Sequence, residues 1–126
     1  FKINDITPGK VGILIIDTLT DNFVYEFQTG RYIRDRQIAL ARHLHELAMI
    51  AIEEEIAVVV TNTVRNKIPE NRNTLVTETG GNTVSQGVHL RLRLARDNKG
   101  WSAQLNNDEK SIRFKIGKRG IMDWEG

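Results

Sequence analysis

Two kinds of hydrophobic pattern divide this chain. Near the start, Val11 to Ile16 is almost continuously apolar and rich in β-branched residues, and Ile56 to Val60 repeats that character. Short unbroken runs of this kind fit strands buried on both faces, as in a parallel sheet covered by helices. Between them Ile33, Leu40, Leu44, Leu47, Ala48 and Ala51 recur at helical spacing, with Arg34, Arg42, His45 and Glu46 off the stripe. This predicts one long helix facing a core and ending in the acidic run Glu53 to Glu55. Strand, helix and strand in this order form a βαβ unit.

The last third alternates instead. Leu90, Leu92 and Leu94 interleave with His89, Arg91 and Arg93, which predicts a half-exposed strand with a basic outer face. "WSAQL" at Trp101 to Leu105 reads as its hairpin partner through "DNKG". In "SIRFKI", Ile112, Phe114 and Ile116 are expected inward and Arg113 and Lys115 outward. "GKRG" is a turn, and Ile121 to Trp124 adds a short strand. The fold class is therefore α/β, a parallel βαβ half followed by an antiparallel β-meander.

Two stretches escape these periods. Thr18 to Gly30 reads as a loop with a short helical part. Thr61 to Gly81 reads as structureless, and long structureless segments inside compact domains tend to be functional.

Composition narrows the function classes. The 126 residues make one small domain or part of one, with 40% hydrophobic and 27% charged residues. The net charge of +2 permits nucleic-acid contact without arguing for it. With no cysteine, disulfides and thiolate metal sites are excluded. No apolar run approaches the roughly 20 residues of a membrane helix. The chain begins with Phe rather than Met, which suggests a trimmed, processed or partial product.

The chemistry is concentrated at one carboxylate. Asp17 directly follows the first apolar strand, at the end where open α/β sheets bind ligands. There it could hold a hydrated magnesium ion, or serve only as a turn former or helix cap. His43, His45 and His89 lack metal-ligand spacing, and no Ser or Cys sits in a nucleophile elbow. "GKVG" and "GKRG" are not phosphate loops, so the chain carries no Walker A motif.

Taken in order, the segments resemble the RecA/RadA recombinase family. "GILIIDTLT" is similar to its Walker B strand, and "GRYIRDRQIALARHLHELAMIAIEEEIAVVVTN" to the helix and strand that follow. "GGNTVSQGVHLRLRLAR" resembles the Gly-Gly-Asn segment, and "FKIGKRGIMD" the terminal motif. The likeness runs from about Val11 to Asp123 and is nearest to archaeal RadA and the eukaryotic strand-exchange recombinases.

The resemblance implies a RecA-like P-loop NTPase core fragment, with residues 1–126 as the C-terminal part of an ATPase domain. It also implies a DNA-dependent ATPase of homologous recombination and DNA repair, using ATP and Mg2+ in the complete parent and binding neither by this chain alone. Asp17 takes the place of the magnesium-orienting Walker B Asp. Thr18–Arg31 and Thr61–Gly81 match the first and second DNA-binding loops. Arg31, Arg34, Arg65, Lys67, Arg72, Gly80 and Gly81 are the DNA-binding candidates, and Phe23, Tyr25, Phe27 and Tyr32 could stack on bases, pack in the core or make a subunit contact.

The partners implied are single- and double-stranded DNA and either further copies of the chain or a RadA-like recombinase, in a ring or filament. No membrane is implied, and the expected location is cytoplasmic and nucleoid-associated. Thr63 and Gln86 stand at the nucleotide-sensing positions, where the family has Gln and His. The proline-containing cap over the neighbour's ATP is missing, and "NNDEK" is shorter. These departures suggest a divergent RadA paralogue. They leave open a non-catalytic accessory paralogue or remnant that binds DNA or a recombinase without ATP turnover.

Overall fold

A computed structural model describes residues 9–26, 32–67, 75–106 and 109–125. The chain divides into two units, Phe1–Val88 and His89–Gly126.

In the first unit, β1 (Ile13–Ile16) and β2 (Ala57–Val60) pair in parallel, with Ile13 opposite Ala57 and Ile16 opposite Val60. The connection runs through α1 (Asp21–Glu26) and α2 (Ile33–Glu53). The leucines spaced along α2 explain its packing. Leu40, Leu44, Leu47 and Ile50 are buried, and with Leu19, Ile56 and Val84 they form the core, against which Leu14, Ile16, Val58 and Val60 pack. Each such side chain contributes about 1.5–3 kcal/mol by leaving water. Ile33 departs from the expected stripe. It lies about two turns before Leu40, the first buried residue of the helix, and is exposed. Past Glu54, Glu55 turns to φ 53° and Ile56 donates its amide to the Ala51 carbonyl, which ends the helix and starts the second strand.

Only one face of this two-stranded sheet is covered. Residues of β1 and β2 alternate between exposed and half-buried, leaving Ile13, Ile15 and Val59 exposed. The expectation of strands buried on both faces is corrected to this extent.

The stretch after β2 is also corrected. It is not structureless, because β3 (Val64–Lys67) and β4 (Leu75–Glu78) form an antiparallel ladder pairing Val64 with Glu78 and Lys67 with Leu75. The loop after β1 contains the six-residue helix α1, the short helical part expected there. α3 (Gly81–Gly87) then returns the chain to α2. Val84 is buried there, and the Thr83 hydroxyl donates to Oε1 of Gln37.

The second unit is a four-stranded meander of β5 (Leu92–Asp97), β6 (Gly100–Leu105), β7 (Ser111–Gly117) and β8 (Gly120–Asp123). Leu94 faces Ala103, Ala103 faces Ile112, and Ile116 faces Ile121, so the apolar residues share one face as the alternation required. That face is not inward. Leu92, Leu94, Ile112, Ile116 and Ile121 are all more than half exposed, and Phe114 alone on β7 is buried. On the opposite face Arg113 forms a bidentate pair with Asp97 at 3.0 and 2.8 Å, and Trp124 lies under the cations of Arg113 and Lys115. The guanidinium of Arg113, helped by the Lys99 amide, holds the Asp97 carboxyl well below the usual carboxylate range.

Candidate functional site

The site is built where the two parallel strands end. The β1–β2 ladder continues one step beyond the strands, because Thr61 donates its amide to the Ile16 carbonyl at 2.9 Å and Leu19 donates to the Thr61 carbonyl at 2.9 Å. That register sets Thr61 beside Asp17, and its hydroxyl donates to Asp17 Oδ1 at 2.5 Å. The carboxylate is exposed, which leaves it available to a ligand.

The donor set suits a hard cation. Among the described residues no group of three or more His, Cys, Asp or Glu could hold a metal by itself. Magnesium typically takes one or two carboxylates and completes its shell with waters and substrate phosphates, so a single oriented carboxylate at a strand end is a fitting ligand. The neighbouring Thr18 hydroxyl is buried without a hydrogen-bond partner among the described residues.

A second network lies beside the first. Thr20 is 1% exposed, so its hydroxyl must find a partner inside the protein, and it donates to Asn62 Oδ1 at 2.7 Å. The same oxygen accepts the Thr63 amide at 2.9 Å, while Asn62 Nδ2 donates to the Thr79 carbonyl at 2.7 Å. Thr63 and Thr79 share a hydroxyl–hydroxyl hydrogen bond at 3.0 Å, and the Thr79 amide donates to the Thr63 carbonyl at 2.9 Å. Thr61, Asn62 and Thr63 thus tie Asp17, the segment after β1 and the end of the hairpin together.

Some of the candidates from the sequence fall inside this arrangement. Asp17 and Thr63 lie at its centre. Gly80 directly follows Thr79 and turns at φ 90° into α3, and a Cβ there would come within 2.5 Å of Val84 Cγ2. This gives Gly80 a conformational and packing role of its own. Gly81, at φ 53°, meets open space. Arg34 is exposed on the first turn of α2, three residues before Gln37 and therefore on a similar face. Arg65 and Lys67 lie in the backbone ladder of β3, and Gln86 is exposed on α3, outside the hydrogen-bond network described above. Arg31 and Arg72 lie outside the described residues, as does Phe27. Of the other aromatics, Phe23 packs on the core and against the His43 ring, whereas Tyr25 and Tyr32 are exposed.

Thr20, Thr61, Asn62 and Thr79 do not stand out in the sequence as site residues. The available signal is a short polar run placed immediately after each apolar strand, where side chains from neighbouring strands can converge.

The Rad51 family model matches residues 3–124. The chain belongs to the Rad51 family. One relative is the DNA repair and recombination protein RadA of Metallosphaera sedula, 27% identical over 122 residues that cover 93% of this chain and 38% of that protein. This Rad51-family chain therefore spans less than half the length of that curated relative. The strand preceding Asp17, the long helix α2 and the meander all fall within the matched region. Family membership points to recombination and repair. Among the described residues no helix is long and apolar enough to cross a membrane.

Proposed function

We propose that the chain is the C-terminal part of a RecA-like ATPase domain in a RadA-like, ATP-dependent, DNA-binding recombinase of homologous recombination. The observation that carries this reading is the Asp17 carboxylate, held by Thr61 at the ends of two parallel strands and linked through the adjoining residues to two candidate DNA-contacting segments.

In this reading Asp17 is the Walker B carboxylate. Its strand, paired in parallel with β2, fixes its position and the Thr61 hydroxyl fixes its rotation, which leaves the other oxygen free to hold a hydrated magnesium ion. When bound, Mg2+–ATP supplies the phosphoryl chemistry of the complete domain. Arg31, Arg34, Arg65, Lys67 and Arg72 neutralise DNA phosphates, whether of single or double strands, and copies of the protein assemble along the DNA. A cytoplasmic, nucleoid-associated location accompanies this role.

The test is Asp17→Ala in the complete protein. Magnesium-dependent ATP hydrolysis should fall to background while the circular dichroism spectrum is unchanged. Unaltered turnover would remove Asp17 from the Walker B role. A wild-type protein that binds DNA without hydrolysing ATP would replace the recombinase reading with an accessory one.

A further inference from the structure

We propose that β8 is a self-pairing edge, along which two copies of the protein join antiparallel about a twofold axis at Ile121, so that their meanders become one continuous sheet. The inference is independent of the function proposed above.

The edge is open. β8 has β7 on one side and no strand on the other among the described residues. All of Gly120–Asp123 is exposed, with Ile121 at 74%. An open edge presents backbone amides and carbonyls to any strand that can pair with them, and proteins ordinarily blunt such edges with Pro, Lys or inward-pointing charge. "GIMD" holds no Pro or Lys, and its one charge stands last. The opposite edge, β5, is blunted. Arg93 and Arg96 lie within it, and Asp97 at its end is already committed to Arg113.

The charges flanking β8 select a second copy running the other way. Arg119 directly precedes the strand and Asp123 closes it. Neither has an ionic partner among the described residues. A twofold axis perpendicular to the sheet pairs residues that share a face, so the register must be centred on a single residue. Centred on Ile121, it sets Arg119 opposite Asp123 of the second copy, and the symmetry makes that ion pair twice. Gly120 then meets Met122 of the second copy, and Ile121 meets its own equivalent. Ile121 is already opposite Ile116 within the chain, so the isoleucines of both copies form an unbroken row across the seam. Centred on Met122, the register would set Ile121 against Asp123. Centred on Gly120, it would set Arg119 against Ile121. Only the Ile121 register matches charge with opposite charge and apolar with apolar.

The contact is closed. An isologous interface uses the same patch on both copies and stops at two, whereas head-to-tail contacts build rings or filaments. Each copy contributes one short strand, so the pairing is weak and depends on concentration.

Cross-linking in the complete protein tests the register. Ile121→Cys, treated at low ionic strength with a short bismaleimide, should yield a peptide that joins position 121 to position 121, identified by mass spectrometry. Adding Arg119→Asp or Asp123→Arg turns both ion pairs into repulsions and should lower the yield about tenfold. Placing both substitutions in one chain rebuilds each pair with its charges exchanged and should restore the yield. Mixing the two single variants should also restore it, with the link now between unlike chains. A variant that had merely misfolded would not be rescued by the other.

Absence of the linked peptide from the Ile121→Cys protein, as when another segment occupies the edge, overturns the proposal. A yield equal in all samples also overturns it, because that marks a non-specific contact between apolar rows. So does a doubly exchanged chain whose yield stays low.

Discussion

The Thr61 hydroxyl donates to Asp17 across 2.5 Å, joining the ends of two parallel strands whose residues are 44 positions apart. The carboxylate is thereby given one rotation, and its second oxygen is left for a ligand. Partners that orient a metal ligand typically change affinity or activity about 10–100-fold when removed. Thr61→Val in the complete protein should raise the magnesium concentration for half-maximal ATP turnover about tenfold. Its maximal rate should fall less than that of Asp17→Ala. A magnesium titration equal to wild type would show that the pair has no bearing on the cation.

The basic residues predict a salt signature. Replacing Arg31 and Arg72 together by Ala should weaken single-stranded DNA binding and flatten the plot of log K against log salt by about 0.7 for each phosphate no longer neutralised. Arg34, exposed on α2, should add a similar decrement. Fluorescence anisotropy at several salt concentrations measures both. An unchanged slope would place the phosphate-binding cations elsewhere.

The adjacent glycines predict unequal costs. Gly80 has φ 90° and lacks room for a Cβ beside Val84 and Leu40, whereas Gly81 has φ 53° and open space. Left-handed backbone costs a non-glycine residue about 1–2 kcal/mol, and overpacking adds about 1–3 kcal/mol. Gly80→Ala should therefore destabilise the protein by about 2–5 kcal/mol and Gly81→Ala by about 1–2 kcal/mol, read from urea midpoints. Equal midpoints would contradict the packing around Gly80.

Acid should loosen the meander through Asp97. Its folded-state carboxyl is held low, chiefly by the Arg113 guanidinium, so between that value and the ordinary value near 4 the unfolded chain binds more protons. The contribution is present above about pH 4 and is lost as pH falls toward the folded-state value. Asp97→Asn should flatten the acid limb of the stability curve, and added salt should shrink the difference because the pair is exposed. A limb of the same steepness in both proteins would show that the pair carries no linkage.

The parts legible in the sequence are those fixed by local periodicity. Continuous apolar runs mark β1 and β2, leucines at Leu40, Leu44 and Leu47 mark the packed face of α2, and alternation marks β5 to β7. The β3–β4 ladder is hidden because "VRNK" is mostly polar and its partner begins eight residues later. Alternation also places Leu94, Ile112 and Ile121 on one face of the meander without saying what covers it. At the site, Asp17 stands out as a carboxylate after a continuous apolar run. Its partner Thr61 and the bridging Asn62 do not, because their roles depend on a parallel register between distant segments.

The bare apolar rows have a practical consequence. Ile13, Ile15 and Val59 on one sheet, and Ile112, Ile116 and Ile121 on the other, meet water directly. Surfaces of this kind are adhesive. The isolated chain should bind an apolar dye such as ANS in its folded state and should self-associate increasingly as its concentration rises. Charged substitutions at Ile15 and Ile112 should improve its colloidal behaviour without touching the hydrogen bonds around Asp17, because neither side chain belongs to that network.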